Sequence, residues 1–174
     1  DYQYFHLLFP AKDTAIRDGA VDWDRFGPVT GGALPAESVF WMGSPGAATS
    51  LHQDSYGANL VAQLHGTKEW RLFPPDAVSA LKPTRIPYEE SSVYSQLSAA
   101  EVDALPSLSV VLSPGDVLLV PHHWWHQVRC LTTAISVNLW VPHTDDAKAQ
   151  VSEALVKVLL SCMAAGDNHP ALPG

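Results

Sequence analysis

The sequence predicts an all-β core with flanking helices: an antiparallel sandwich or barrel followed by a C-terminal helix. Three observations lead there. Some eight short apolar runs alternate with turns rich in glycine and proline, the pattern of an antiparallel β-domain. Few helical patterns separate those runs, which argues against the strand–helix–strand repeat of a parallel sheet. One long helical pattern comes only after Pro142, at the end of the series.

Composition bounds the function classes. The 174 residues suit one domain with a full core, and 47% hydrophobic against 16% charged residues with six Trp is the composition of a folded chain. A formal net charge of -8 disfavours a general grip on phosphate backbones, so nucleic acid is not the expected partner. No apolar run reaches the roughly 18 to 20 residues of a membrane span, so no membrane association is expected. Cys130 and Cys162 make no disulfide framework and are expected as buried thiols, which suits a cytoplasmic or nuclear protein. A first residue of Asp1 rather than Met, with no cleavable signal there, suggests a piece of a longer chain.

In order along the chain, Tyr2, Phe5, Leu8 and Phe9 recur at three-and-four spacing, which predicts a helical turn or two ended by Pro10. Residues 11–35 are broken by glycine and proline, and Trp23 and Phe26 are expected to tuck this segment onto the core. The run 38–43 reads as a strand, and the stretch around His52 as the next. Residues 59–65 and 68–73 read as a hairpin across Gly66-Thr67. Asp76 is expected to cap a short helix reaching Leu81. Residues 82–105 read as a long insertion with a helical turn near 99–104, of the kind that covers a site. Strands resume at 108–112, 117–120, 126–130 and 134–141. From Asp145 to about Ala165 a helix follows, with Val151, Leu155, Val158, Leu159 and Cys162 on one stripe, to be packed on the sheet or paired with its copy in a homodimer. The division expected is 1–144 for the β-domain and 145–174 for the helix and tail.

Chemistry concentrates at His52-Gln53-Asp54. Side chains two apart on a strand share a face, so His52 and Asp54 present an imidazole and a carboxylate together. These are two ligands of a facial 2-His-1-carboxylate set, which leaves open positions on a non-haem Fe(II). The best third candidate is His126, which precedes an alternating strand. His122 and His123 compete with it but lie on a turn, while His6, His65, His143 and His169 have no evident partner. Lys68 is either a solvent-facing lysine or a cation deep in the barrel that receives an acidic cosubstrate. Asn59 and Asn138 sit in apolar strands, where an amide needs partners. Thr49 could be a plain turn hydroxyl.

Together these segments resemble a known family. Gly46-Ala-Ala-Thr49, His52-Gln-Asp-Ser-Tyr-Gly-Ala-Asn-Leu60, Gln63-Leu-His-Gly-Thr-Lys68, Leu72-Phe-Pro-Pro75, Pro114-Gly-Asp-Val-Leu-Leu-Val-Pro121, Trp124-Trp-His126 and Ser136-Val-Asn-Leu-Trp140 are similar to JmjC-domain oxygenases of the cupin-like type. The run Pro83-Thr-Arg-Ile-Pro-Tyr-Glu-Glu-Ser-Ser-Val-Tyr94 is similar to the small-heat-shock-protein-associated branch of that group. The resemblance implies a double-stranded β-helix (jelly roll) using Fe(II), 2-oxoglutarate and O2. Matched by position, His52, Asp54 and His126 are the metal triad. Lys68 pairs with the distal carboxylate of 2-oxoglutarate, with Thr49 as its hydroxyl partner. Asn59, Asn138 and Trp140 line the cosubstrate and metal region.

The activity implied is hydroxylation of a protein side chain, with 2-oxoglutarate decarboxylated to succinate and CO2. N-methyl demethylation and tRNA-base hydroxylation are alternatives within the family. A non-catalytic metal-binding cupin scaffold, or a cupin-type isomerase with another divalent metal, are alternatives outside it. The branch also implies a small heat-shock protein as partner, and no sequence feature identifies the contact.

Overall fold

Along Lys68–Phe73 and Trp125–Cys130, side chains pointing to one face of the strand are buried together, as a strand lying on a core requires. The computed structural model describes residues 4–9, 21–30, 38–86 and 88–166. Eleven strands are found among them: β1 Tyr4–Phe9, β2 Ser38–Gly43, β3 His52–Asp54, β4 Ala58–His65, β5 Lys68–Phe73, β6 Pro83–Thr84, β7 Ser92–Ser95, β8 Leu108–Leu112, β9 Val117–Val120, β10 Trp125–Cys130 and β11 Ala134–Val141. The helices are α1 Gly27–Thr30, α2 Val78–Leu81, α3 Ala99–Asp103 and α4 Asp146–Gly166. Single 3-10 turns cover Trp23–Phe26 and Pro75–Ala77.

Two antiparallel sheets face each other. One has the order β1-β2-β11-β4-β9, the other β6-β7-β3-β10-β5-β8. Successive strands β3, β4 and β5 alternate between the sheets, as do β8 to β11, which is the winding of a jelly roll with a helix appended. Val61, Trp70, Leu72, Leu112, Val120 and Val128 pack between the sheets. Leu60, Ala62, Val137 and Leu139 lie on the opposite face of the first sheet, where Trp23 covers them with Phe26 beside it, as the sequence predicted. Leu51, Phe73 and Trp125 back the second sheet and are covered by Leu81 and Val102. Both sheets are therefore buried on two sides over their centres, and β4 and β11 read as nearly continuous buried runs.

Several expectations are corrected. The predicted N-terminal helical turn is strand β1, paired from Tyr4 opposite Gly43 to Phe9 opposite Ser38. A helical turn could not satisfy the free backbone groups along the edge of β2, and a strand does. The expected hairpin across Gly66-Thr67 is instead a sheet crossing, because β4 pairs with β11 and β9 while β5 pairs with β10 and β8. Asp76 caps no helix: the turn starts one residue earlier, behind Pro74, with no side-chain cap bond. Proline suits that first position, since its missing N–H is not needed there. The 82–105 segment is more regular than an insertion, for β7 pairs with β3 along its whole length. Its predicted helical turn is present as α3, fixed by a capping box in which Ser98 N–H donates to Glu101 Oε2 at 2.8 Å. Cys130 is buried as expected, but Cys162 is exposed.

Of the two expectations for the stripe on α4, packing on the sheet is not what the structure has. Val151, Leu155, Val158 and Leu159 are exposed, whereas Glu153 is buried against Arg85 and Tyr88. Lys157 adds an ion pair to Glu90. The helix is held to residues 85–91 by its polar side.

Gly66 makes the crossing possible. Its φ is +63°, and a Cβ there would stand 2.0 Å from the carbonyl oxygen of Thr133. Gly66→Ala is expected to lower stability by about 3 kcal/mol or more, combining a strained backbone with a backbone clash. Urea unfolding checks this, and a loss below about 1 kcal/mol would show that the crossing tolerates a side chain.

Candidate metal centre

On β3, His52 and Asp54 flank the outward Gln53, so both point between the sheets. Strand β10 pairs with β3 in the register Trp125 opposite Gln53 and His126 opposite His52. That register brings His126 across from His52, with ring centroids 4.3 Å apart. His52 Nε2 lies 3.8 Å from Asp54 Oδ1, and His126 Nε2 lies 4.0 Å from Asp54 Oδ2. One ligand atom from each of the three falls within 4.8 Å of the others.

Both rings are turned the same way by the backbone. His52 Nδ1 lies 2.8 Å from the Ser50 carbonyl, and His126 Nδ1 lies 3.1 Å from the Trp124 carbonyl. A carbonyl only accepts, so each Nδ1 carries a proton, and in the neutral ring each Nε2 offers its lone pair on the side of Asp54. Metal-bound histidines are commonly anchored in this manner. Burial pushes the His126 imidazolium down to about 4, with repulsion from His52 adding to it, so His126 is a neutral ligand donor at pH 7.

Asp54 is oriented by a chain of hydrogen bonds drawn from three further strands. Trp140 Nε1 donates to Asp54 Oδ2 at 2.9 Å, and Asn59 Nδ2 donates to the same oxygen at 3.3 Å. Asn138 Nδ2 donates to Asn59 Oδ1 at 2.7 Å, and Trp41 Nε1 donates to Asn138 Oδ1 at 2.7 Å. The alternation of β11 puts Ser136, Asn138 and Trp140 on one face, so a single strand contributes to both ends of the site. The sequence singled out Asn59, Asn138 and Trp140 but missed Trp41 and Ser136. Trp41 looked like an ordinary apolar strand residue. Ser136 carried a faint signal, as a polar residue two before Asn138 and so on its face.

Lys68 has no exposed surface, which settles the two expectations for it in favour of the interior. Its ammonium donates to Ser136 Oγ at 2.7 Å, bridging the two sheets. Burial pulls its pKa down to about 8. Thr49 Oγ1 accepts from Val128 N–H at 3.0 Å, which leaves its own hydroxyl proton to donate elsewhere. A cavity of about 700 Å³ opens beside these residues, and His52, Asp54, His126, Thr49, Ser136 and Asn138 all line it. Trp70 also lines it, with an indole N–H that has no hydrogen-bond partner among the described residues. Residues 89–92 and Tyr94 line it too, so the 82–105 segment does border the site.

The other histidines divide differently from expectation. His65 is exposed, the side chain of His6 lies outside the described residues, and so does His169. His122 and His123 are apart from the triad, as predicted. His143 is not partnerless, however, for its ring stacks on His122 with centroids 4.1 Å apart. The contact was invisible in sequence because β10 and β11 intervene.

A family model described as a cupin-like domain matches residues 11–147. Human HSPB1-associated protein 1 is 43% identical over 177 residues, covering 97% of this chain and 36% of that protein. The zebrafish HSPB1-associated protein 1 homolog is 43% identical over 169 residues, covering 92% of this chain and 37% of that protein. Lysine-specific demethylase JMJ30 of Arabidopsis thaliana is 34% identical over 122 residues, covering 64% of this chain and 27% of that protein. The chain thus spans little more than a third of the length of the two HSPB1-associated relatives and about a quarter of the demethylase. With a jelly roll, a His–Asp–His cluster inside it and a family match over most of its length, the chain belongs to the cupin-like family of JmjC-type domains.

Proposed function

We propose that this domain is an Fe(II)- and 2-oxoglutarate-dependent oxygenase that hydroxylates a protein side chain. The observation that carries this reading is the convergence of His52 Nε2, His126 Nε2 and Asp54 on one point at the wall of a cavity, with both Nδ1 atoms tied to carbonyls. His52 and Asp54 on one strand and His126 on the next would hold a metal, and two imidazoles with one carboxylate is the donor set that suits non-haem Fe(II). When bound, iron and 2-oxoglutarate supply the oxygen chemistry, with succinate and CO2 as by-products.

The chain's own residues bind, orient and exclude water. Trp140 and Asn59 both donate to Asp54 Oδ2 and so orient the carboxylate toward the two histidines. Lys68, next to Ser136 and set in a buried environment, supplies a positive charge for the distal carboxylate of the cosubstrate, and Thr49 supplies a hydroxyl. The names of the relatives support two finer readings. A lysine-specific demethylase among them keeps N-methyl oxidation as the second reaction, and the HSPB1-associated proteins point to a small heat-shock protein as partner. Six exposed apolar side chains along α4, Leu160 and Met163 besides the four of the stripe, support a homodimer through that helix.

Anaerobic addition of Fe(II) and then 2-oxoglutarate is expected to develop a weak visible charge-transfer band that needs both. His52→Ala, Asp54→Ala and Lys68→Ala are each expected to abolish it. Metal binding without a band in the unaltered protein would leave a metal-binding scaffold in place of an oxygenase.

The lowered pKa of Lys68 gives a pH dependence of defined sign. Below about 8 the free protein holds the ammonium its cosubstrate needs; above it, binding must first restore the proton. Affinity for 2-oxoglutarate is expected to be flat below pH 8 and to weaken by up to about tenfold per unit above it. An affinity unchanged up to pH 10 would remove Lys68 from the cosubstrate site.

Light scattering is expected to give a dimer mass for the chain and a monomer mass for Leu155→Glu/Leu159→Glu. A monomer from the unaltered chain would assign the exposed stripe elsewhere.

A further inference from the structure

A second group of metal-ligating side chains lies outside the cavity. His122 stands on the turn between β9 and β10, and His143 and Asp146 stand where β11 passes into α4. One ligand atom from each lies within 4.8 Å of the others. We propose that His122, His143 and Asp146 form a second divalent-cation site, of Zn(II) type, separate from the His52–Asp54–His126 centre.

The state of His122 is the strongest argument. Its Nδ1 lies 3.1 Å from the carbonyl oxygen of Gly57, which can only accept, and 3.9 Å from Asp146 Oδ1, so Nδ1 carries a proton and in the neutral ring the lone pair is on Nε2. That Nε2 is buried and has no hydrogen-bond partner among the described residues. A buried acceptor without a donor is a cost that a bound cation would remove. The carbonyl-anchored ring with its second nitrogen unprotonated is also how metal-bound histidine is held, and the triad in the cavity uses the same device.

Asp146 is equally fixed. Its Oδ1 accepts from Gly57 N–H at 2.8 Å and its Oδ2 accepts from His143 N–H at 2.7 Å. Each oxygen keeps a further lone pair for a metal. The His122 and His143 planes are 11° apart, so a shared ion requires one ring to open. His143 is the one that can, with its side chain 40% exposed against 12% for His122. Two imidazoles and a carboxylate with a water in the fourth position is a common Zn(II) set, and the exposed side of His143 admits that water.

The site would have a structural consequence. His122 and Asp146 both hold Gly57, the neighbour of Tyr56 on the cavity wall. A cation there would fasten the first turn of α4 to that loop.

Zn(II) alone is the probe, titrated into the full chain against a chromophoric chelator. The unaltered protein is expected to take up two equivalents. His143→Ala and His52→Ala/Asp54→Ala should each take up one, and the three substitutions together none, with affinity at the removed site weakened about tenfold or more. His65→Ala, at an exposed histidine away from both clusters, is expected to keep two. Two equivalents in His143→Ala, or a single equivalent in the unaltered protein that His52→Ala/Asp54→Ala removes, would overturn the proposal. Should the double variant not fold, His143→Ala decides by itself. The 2-oxoglutarate band in His143→Ala separates this site from the first: the band is expected to persist, so loss of the second equivalent with the band intact leaves the oxygenase reading untouched.

Discussion

The pairing of β10 with β3 is short, and everything at the centre depends on it. Its register sets His126 opposite His52 and places three ligand-type side chains between the sheets. Because side chains alternate with a period of two, a slip of one residue would turn His126 outward and bring Trp125 into the cavity. The neighbouring strands prevent this. Trp125 is fully buried on the outer face with Phe73 and Leu81, so a slip would also take a large aromatic side chain out of that packing. The register is held by apolar burial on one face, and the chemistry is held by the register on the other.

Between the sheets the chain carries an unusual load of polar groups for a jelly-roll interior. Lys68, Asn59, Ser136 and Asn138 are all buried there. Each would be costly alone, and each has a partner in a chain that runs from Trp41 to Asp54 or from Lys68 to Ser136. Networks of this kind are stable when satisfied and unforgiving when broken. Their placement follows from one strand, since β11 lends Ser136 to the lysine end and Trp140 to the aspartate end.

Helix α4 joins the domain in a way that hydrophobic patterning does not anticipate. Its contacts are Asp146 with Gly57, Glu153 with Arg85 and Tyr88, and Lys157 with Glu90. The segment it grips lines the cavity through Glu89, Glu90 and Ser91. The position of the helix and this part of the cavity wall are therefore linked by charged groups, while the apolar stripe remains exposed.

The sequence by itself determined the β-rich class, the tight turns, the terminal helix and the His52–Asp54 pair, because these are local. Alternation and turn chemistry act over a few residues and can be read without knowing the fold. It also made His126, Lys68, Asn59, Asn138 and Trp140 candidates, through polar residues in apolar strands and through resemblance to a family. What it did not determine was which strands pair. Gly66-Thr67 reads as a hairpin locally, and only the contact with Thr133 across the sandwich makes it a crossing. The N-terminal turn became a strand because the edge of β2 required one. Trp41 and the His122–His143 stack were hidden for the same reason, since each gains its meaning from a partner on a strand far away in the chain. Local pattern names the residues; long-range pairing decides which of them meet.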